Sequence, residues 1–326
     1  MLRMVSGSAI KRTVILLSAM LLMTAAWGID RIPEANLLMI VFTFLASTFL
    51  ADVKKFNLRL LKVVIWASYG SAAQFLISVS GVFPLLQTII AMGLAYFTFS
   101  TLTDYRVGCV VMITGYLAFL APPGFEAAVG RSFDIFAGAV VIMAVTTLGS
   151  IGTCEDKALL VPDKKYSHGQ ALMLSAELGI GNLLANMLQL KQGSWIMLTI
   201  LFIRMCMSSA SSGRKLALQR IFAIPIGVVA GGFLLGTFCR MDYRFVFLVP
   251  FVGALGFFVL YNYGDFFLFS IIFMAALTVA SDWIAGPYQR INLWESFFAR
   301  SISTGLGTLL ELLFLNRQSM ENGDTA

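Results

Sequence analysis

Three ionisable side chains stand inside long apolar runs, where water cannot solvate them: Glu177, Arg204 and Glu311. Arg204 lies in Leu201-Phe202-Ile203-Arg204-Met205, about ten residues into its run, or roughly 15 Å at about 1.5 Å per residue. Glu177 lies about eight residues into the preceding run, which traverses the opposite way, so the two depths match and the residues are placed to form a buried ion pair. Glu311 follows Gly305-Leu306-Gly307-Thr308-Leu309-Leu310, well inside the last run. Charges at bilayer depth are costly, so each is a functional candidate by default. In a transport chemistry, Arg204 receives an organic anion and Glu177 tunes it or relays protons. Burial disfavours the charged form of an isolated carboxylate, so Glu311 suits a proton-exchanging role. The architectural alternative is that Glu177 and Arg204 lock two helices together, while Glu311 faces the aqueous end or pairs with a neighbouring helix.

Other residues carry weaker signals. Trp195 sits just inside the outer end of its run, as an interfacial aromatic belt residue would. Trp66 stands mid-run and faces either lipid or a cavity. Asp134, Asp265 and Asp282 fall near run ends and read as interfacial. Glycines at three- and four-residue spacing, as in Gly227…Gly231-Gly232 and Gly253…Gly256, let helices approach closely. Cys109, Cys154, Cys206 and Cys239 are scattered without paired spacing, and His168 is the sole histidine, so neither a disulfide framework nor a metal site is expected. No phosphate-binding GxxxxGK[ST] loop and no nucleophile–base set occurs, so the sequence does not read as an enzyme, and no cofactor is expected.

These side chains need elements to hold them, and composition says what kind. Of 326 residues, 59% are hydrophobic and only 12% charged, with a mean hydropathy of +0.86. The charged share is about half that of a soluble globular domain. Too few charges remain to cover soluble surfaces, which excludes a soluble enzyme, a nucleic-acid-binding module and a disordered scaffold. The net charge of +6 fits basic cytoplasmic loops better than a nucleic-acid partner.

The expected fold is an all-α polytopic membrane protein of about twelve transmembrane helices, since each span needs about 20 apolar residues. Apolar runs place the spans near 13–28, 37–51, 63–80, 85–102, 107–121 and 132–151, then 169–190, 194–210, 221–238, 245–262, 266–284 and 301–316. The long polar stretch 152–168 divides the chain nearly in half. The organisation is therefore an N-terminal six-helix half (1–151), a cytoplasmic linker (152–168), a C-terminal six-helix half (169–316) and a cytoplasmic tail (317–326). Lys11, Arg12, Lys54, Lys55, Arg214 and Lys215 fall on one side, which places both termini and the linker in the cytoplasm. Arg220 joins Arg214 and Lys215 in a basic inner loop. The halves read as two parallel repeats: each has a basic loop after its second helix, and each last helix opens with Arg-Ser, Arg131-Ser132 and Arg300-Ser301. Repeated halves with a site at their interface characterise transporters.

A family resemblance lies in the second half. Gln192-Gly193-Ser194-Trp195 opens a helix, Ser212-Gly213-Arg214 and Leu218-Gln219-Arg220 precede Gly227 and Gly231, and Arg300-Ser301-Ile302-Ser303-Thr304-Gly305 opens the last helix. Together these resemble the fusaric acid resistance and aromatic acid exporter family. The resemblance covers about 168–316, with Trp195, Arg220 and Gly227 in the motif positions. Ala223-Ile224-Pro225-Ile226 stands where the family usually has Gly-Thr, Arg204 where a neutral polar residue is expected, and the cytosolic domain of larger exporters is missing between the halves. The resemblance implies a bacterial inner-membrane exporter of aromatic carboxylic acids or related amphipathic anions, driven by the proton gradient. It also implies a periplasmic adaptor partner and a homodimer.

The leading expectation is a secondary efflux transporter. Arg214, Lys215 and Arg220 concentrate the anion at the inner face, Arg204 binds its carboxylate, and Glu177 or Glu311 exchanges a proton. A passive organic-anion channel with the same arginines along a pore is the second reading. A non-transporting membrane assembly subunit is the third.

Overall fold

In the computed structural model the described residues are 7–26, 56–80, 83–102, 105–116, 125–148, 166–190, 192–207, 210–234, 248–284 and 293–321. Among them are eleven helices and no strands: α1 (Gly7–Ala26), α2 (Phe56–Val79), α3 (Pro84–Thr101), α4 (Tyr105–Tyr116), α5 (Phe125–Leu148), α6 (His168–Met187), α7 (Ser194–Cys206), α8 (Ala210–Leu234), α9 (Leu248–Tyr263), α10 (Phe266–Ile284) and α11 (Leu293–Glu321). Each overlaps one expected apolar run, with ends that differ by up to about two turns, except that α8 begins eleven residues before its run. The expected span at 37–51, most of the 152–168 linker and the tail beyond Glu321 lie outside the described residues.

Five helices contain stretches long and apolar enough to cross a membrane: Leu60–Ile77, Pro84–Thr101, Ala128–Val145, Ser212–Leu234 and Phe297–Leu315. This fits an α-helical membrane protein. Five more helices, α1, α4, α7, α9 and α10, are apolar over shorter stretches. The expected span at 194–210 is realised as the 13-residue α7, which stops at Cys206 with Met207 extended behind it. Thirteen residues rise only about 20 Å, against a hydrocarbon core of about 30 Å. Arg204 accordingly stands in the last turn of a short helix rather than halfway along a full span.

Helix ends follow local chemistry. Pro84 starts α3 at a position where its missing N–H costs nothing. Ser167 caps α6: its hydroxyl accepts from the Gln170 amide, and the Gln170 side chain accepts from the Ser167 amide. Asp265 is exposed and its Oδ1 accepts from the Leu268 amide at the start of α10. That is a helix-capping role at a helix end, as its sequence position suggested.

The chain forms two compact units. One comprises Met1–Val63, Asp134–Glu155 and Phe222–Phe297; the other comprises Val64–Phe133, Asp156–Ile221 and Phe298–Ala326. In the first, α1 packs on α9 and α9 on α10. A Cβ on Gly227 would lie 2.6 Å from the Ile271 carbonyl oxygen, and one on Gly231 2.7 Å from that of Ala275. These glycines let the C-terminal part of α8 lie against the backbone of α10, the packing role their spacing predicts. Phe257, Phe266, Phe269 and Phe273 form an aromatic cluster on α9 and α10, in which Phe269 and Phe273 stack.

In the second unit α3 packs on α6, α4 on α7 and α6 on α7. The α3–α6 seam is polar: Asn182 donates to Thr88 Oγ1 and Asn186 to Gln87 Oε1, both at 3.0 Å. Trp66 is buried, facing neither lipid nor an open cavity, and its Nε1 donates to Thr114 Oγ1 at 3.1 Å, tying α2 to α4. Ser71 and Ser132 hydroxyls hydrogen-bond to each other. Such polar pairs hold helices together where no hydrophobic gain separates protein from lipid.

Candidate functional site

The second unit brings Glu177, Arg204 and Glu311 together from α6, α7 and α11. Arg204 Nη2 lies 3.1 Å from Glu177 Oε2, and Arg204 Nε donates to Glu311 Oε2 at 3.1 Å with Glu311 Oε1 at 2.9 Å. Arg204 is 2% exposed and both glutamates are completely buried. The expected pairing of Glu177 with Arg204 is present, and Glu311 joins it as a second carboxylate on the same guanidinium.

The approach of α7 to α11 depends on Gly307, where a Cβ would lie 2.6 Å from the Ile196 carbonyl oxygen. On α6, Gly181 meets Ile196 and Met197. With small residues at these crossings, three helices reach one guanidinium. Arg204 also stands in the last turn of α7, where the unpaired carbonyls carry partial negative charge and favour a cation.

Electrostatically the cluster is unequal. One cation faces two carboxylates, so with both ionised it carries one net negative charge, and a single proton neutralises it. Glu177 Oε1 has no hydrogen-bond partner among the described residues. Nor do the hydroxyls of Thr199 on α7 and Ser303, Thr304 and Thr308 on α11, all buried. Helical Ser and Thr commonly return their hydroxyl to the carbonyl four residues back, as Thr88, Thr98, Thr114 and Ser175 do here. On α11, Thr304, Thr308 and Glu311 share one helix face, being four and three residues apart.

Two sequence expectations need correction. Trp195 is not a residue of an exposed interfacial belt: it is 7% exposed, with the Arg300 guanidinium carbon 5.7 Å from its ring centroid. Arg300 also donates through Nε to Gln192 Oε1 at 2.8 Å. The start of α7 and the Arg-Ser of α11, both parts of the resemblance motif, are thus clasped to each other. Arg220 is not in a basic loop: α8 is continuous from Ala210 to Leu234, and Arg220 is 2% exposed within it. Its guanidinium carbon lies 5.0 Å from the centroid of the Phe202 ring. Lys215, by contrast, is exposed as expected.

Asp134, read as interfacial, is buried, and the side chain of Asp282 lies outside the described residues. Among the described residues no group of histidine, cysteine and carboxylate side chains is arranged to hold a metal. Sequence reasoning missed the orphaned hydroxyls of α11, although Ser303-Thr304 and Thr308 in an otherwise apolar helix are a legible signal. Compared with protein-family models, with curated proteins and with solved structures, the chain matches none, so the likeness of residues 168–316 to the aromatic acid exporters rests on their short motifs alone.

Proposed function

We propose that this protein is a proton-coupled secondary transporter that exports amphipathic organic anions, aromatic carboxylates foremost, across a bacterial inner membrane, with both termini cytoplasmic. The observation that carries the reading is the buried cluster of one arginine and two glutamates. Its odd carboxylate gives one proton a place to bind and leave, and a change of one charge in a dry interior biases how three helices pack. The unpartnered hydroxyls of Thr304 and Thr308 extend from Glu311 along α11 and give that proton acceptors and donors on its way.

The cluster alters one part of the sequence expectation. Both carboxylates already hold the Arg204 guanidinium, so an incoming anion would have to displace one of them and would meet net negative charge. Arg204 is better understood as the counter-ion of Glu177 and Glu311 than as the substrate receptor.

The two-repeat architecture, with about twelve spans, belongs to the same proposal. It is supported by the element pairing within each unit. Counting each half from its start, α3 on α6 in one unit has its counterpart in α9 on α1 in the other, and α3 on α4 in α9 on α10. Four of the five unit boundaries fall within α2, α5, α8 and α11, the third and sixth elements of each half, and the fifth falls between Glu155 and Asp156, where the halves join. A periplasmic adaptor and a homodimer are partners that the family resemblance suggests.

Purified protein in proteoliposomes tests the reading. An imposed pH gradient should drive accumulation of a labelled aromatic carboxylate such as benzoate, and Glu311→Gln should abolish the gradient dependence in protein that is folded and inserted normally. Flux or conductance that ignores the proton gradient would instead establish the passive channel.

A further inference from the structure

With Arg204 engaged by two carboxylates, a different residue has the properties of an anion receptor. We infer that Arg220 forms an organic-carboxylate binding site on α8 against the C-terminal part of α7. Arg220 is 2% exposed, and its Nε and Nη2 have no hydrogen-bond partner among the described residues. A buried guanidinium edge whose two N–H groups have no acceptor is a costly arrangement that folding alone does not reward. The face of the Phe202 ring lies 5.0 Å from its guanidinium carbon, and Cys206 stands close enough to interact with it electrostatically; neither supplies the two missing hydrogen bonds.

The orphaned atoms identify the ligand's shape. Nε–H and Nη2–H lie on the same edge of the planar guanidinium and point the same way. That edge presents two parallel donors, the match for the two oxygens of one carboxylate. Phe202 turns the face of its ring to the guanidinium and so presents an apolar surface beside the buried donors. A planar acid with an apolar body satisfies both features. A compact hydrated anion satisfies only the first.

Phe202 and Arg204 are two residues apart on α7, about 200° around the helix. The anion site at Arg220 and the charge cluster at Arg204 therefore lie on opposite sides of one short helix. Movement of α7 would affect both, which is a physical means for proton and anion to influence each other. This last point rests on the transport reading; the binding site itself does not.

Equilibrium dialysis of the purified full-length protein in detergent, with radiolabelled benzoate and no gradient, tests the site. Wild type should bind saturably with one site per chain. Arg220→Gln should weaken binding by about tenfold or more, and Arg220→Lys by an intermediate factor, because a point charge cannot make the two parallel bonds. Glu311→Gln should leave benzoate binding within about threefold, since its negative charge acts from the far side of α7. A thermal melt separates binding from architecture: removing an unpaired buried charge leaves the melting temperature of Arg220→Gln unchanged or raises it, whereas a structural arginine would lower it. If wild type shows no saturable benzoate binding, or if Arg220→Gln and Arg220→Lys both bind as wild type does, the site is wrong. Benzoate binding that needs Arg220, in protein that transports nothing under a pH gradient, would uphold the site and overturn the transport reading.

Discussion

A Cβ on Gly307 would stand 2.6 Å from the carbonyl oxygen of Ile196, so α11 and α7 touch backbone to backbone at that point. Glu311 lies one turn beyond this contact on α11, and Arg204 a little over two turns beyond it on α7. The contact sets the spacing over which Glu311 reaches the guanidinium. Gly307→Val should separate the two helices and cost about 1–3 kcal/mol through overpacking. A lower melting temperature of the detergent-solubilised protein would register this, accompanied by loss of gradient-driven transport. Gly305 has nothing within 4 Å of the corresponding Cβ position, and Gly305→Ala should leave both readouts unchanged.

Removing different members of the charge cluster should have opposite consequences for folding. Glu311→Gln leaves a balanced Arg204–Glu177 pair, so the melting temperature should hold while proton coupling disappears. Arg204→Gln leaves two buried carboxylates without a cation and should cost about 3–5 kcal/mol. That would be seen as a sharp fall in membrane-inserted yield. Adding Glu177→Gln to Arg204→Gln should recover part of the loss. A double variant no more stable than Arg204→Gln would show that the cluster's charges do not govern stability.

The clasp between Trp195 and Arg300 should be worth about 0.5–2 kcal/mol. Trp195→Leu keeps the apolar volume approximately but removes the aromatic face, and should lower the melting temperature modestly. Arg300→Gln removes the cation from both Trp195 and Gln192, and its effect should exceed that of Trp195→Leu. In a double-mutant cycle the two effects should be less than additive, because the residues share one contact.

On the α3–α6 seam, Asn182→Ala removes the donor to Thr88 Oγ1. Hydrogen bonds between membrane helices average about 0.6 kcal/mol, and reach about 1.7 kcal/mol in some contexts. The expected result is a small destabilisation with intact benzoate binding, since this seam lies on α6 and α3, away from Arg220. Loss of binding in Asn182→Ala would tie the seam to the substrate site.

Much of this protein was legible before folding. Hydropathy and the scarcity of charge determined that the chain is helical and suited to a membrane, because a hydrocarbon solvent tolerates only segments that satisfy their own backbone. The same scarcity singled out Glu177, Arg204 and Glu311, since a charge in an apolar run has few inexpensive explanations. Depth along neighbouring helices was enough to propose that Glu177 and Arg204 meet. Three things were decided only by tertiary structure. That Glu311 comes from a distant helix to the same guanidinium depends on the Gly307 crossing, a contact between residues more than a hundred positions apart. That Arg220 is buried follows from the continuation of α8 upstream of its expected start, where local hydropathy reads a basic loop. That Trp195 is covered depends on Arg300 folding over its ring. Local sequence encodes how far a residue sits along its own helix. Which neighbour it meets there, and whether its charge is balanced, is set by the packing of all the helices at once.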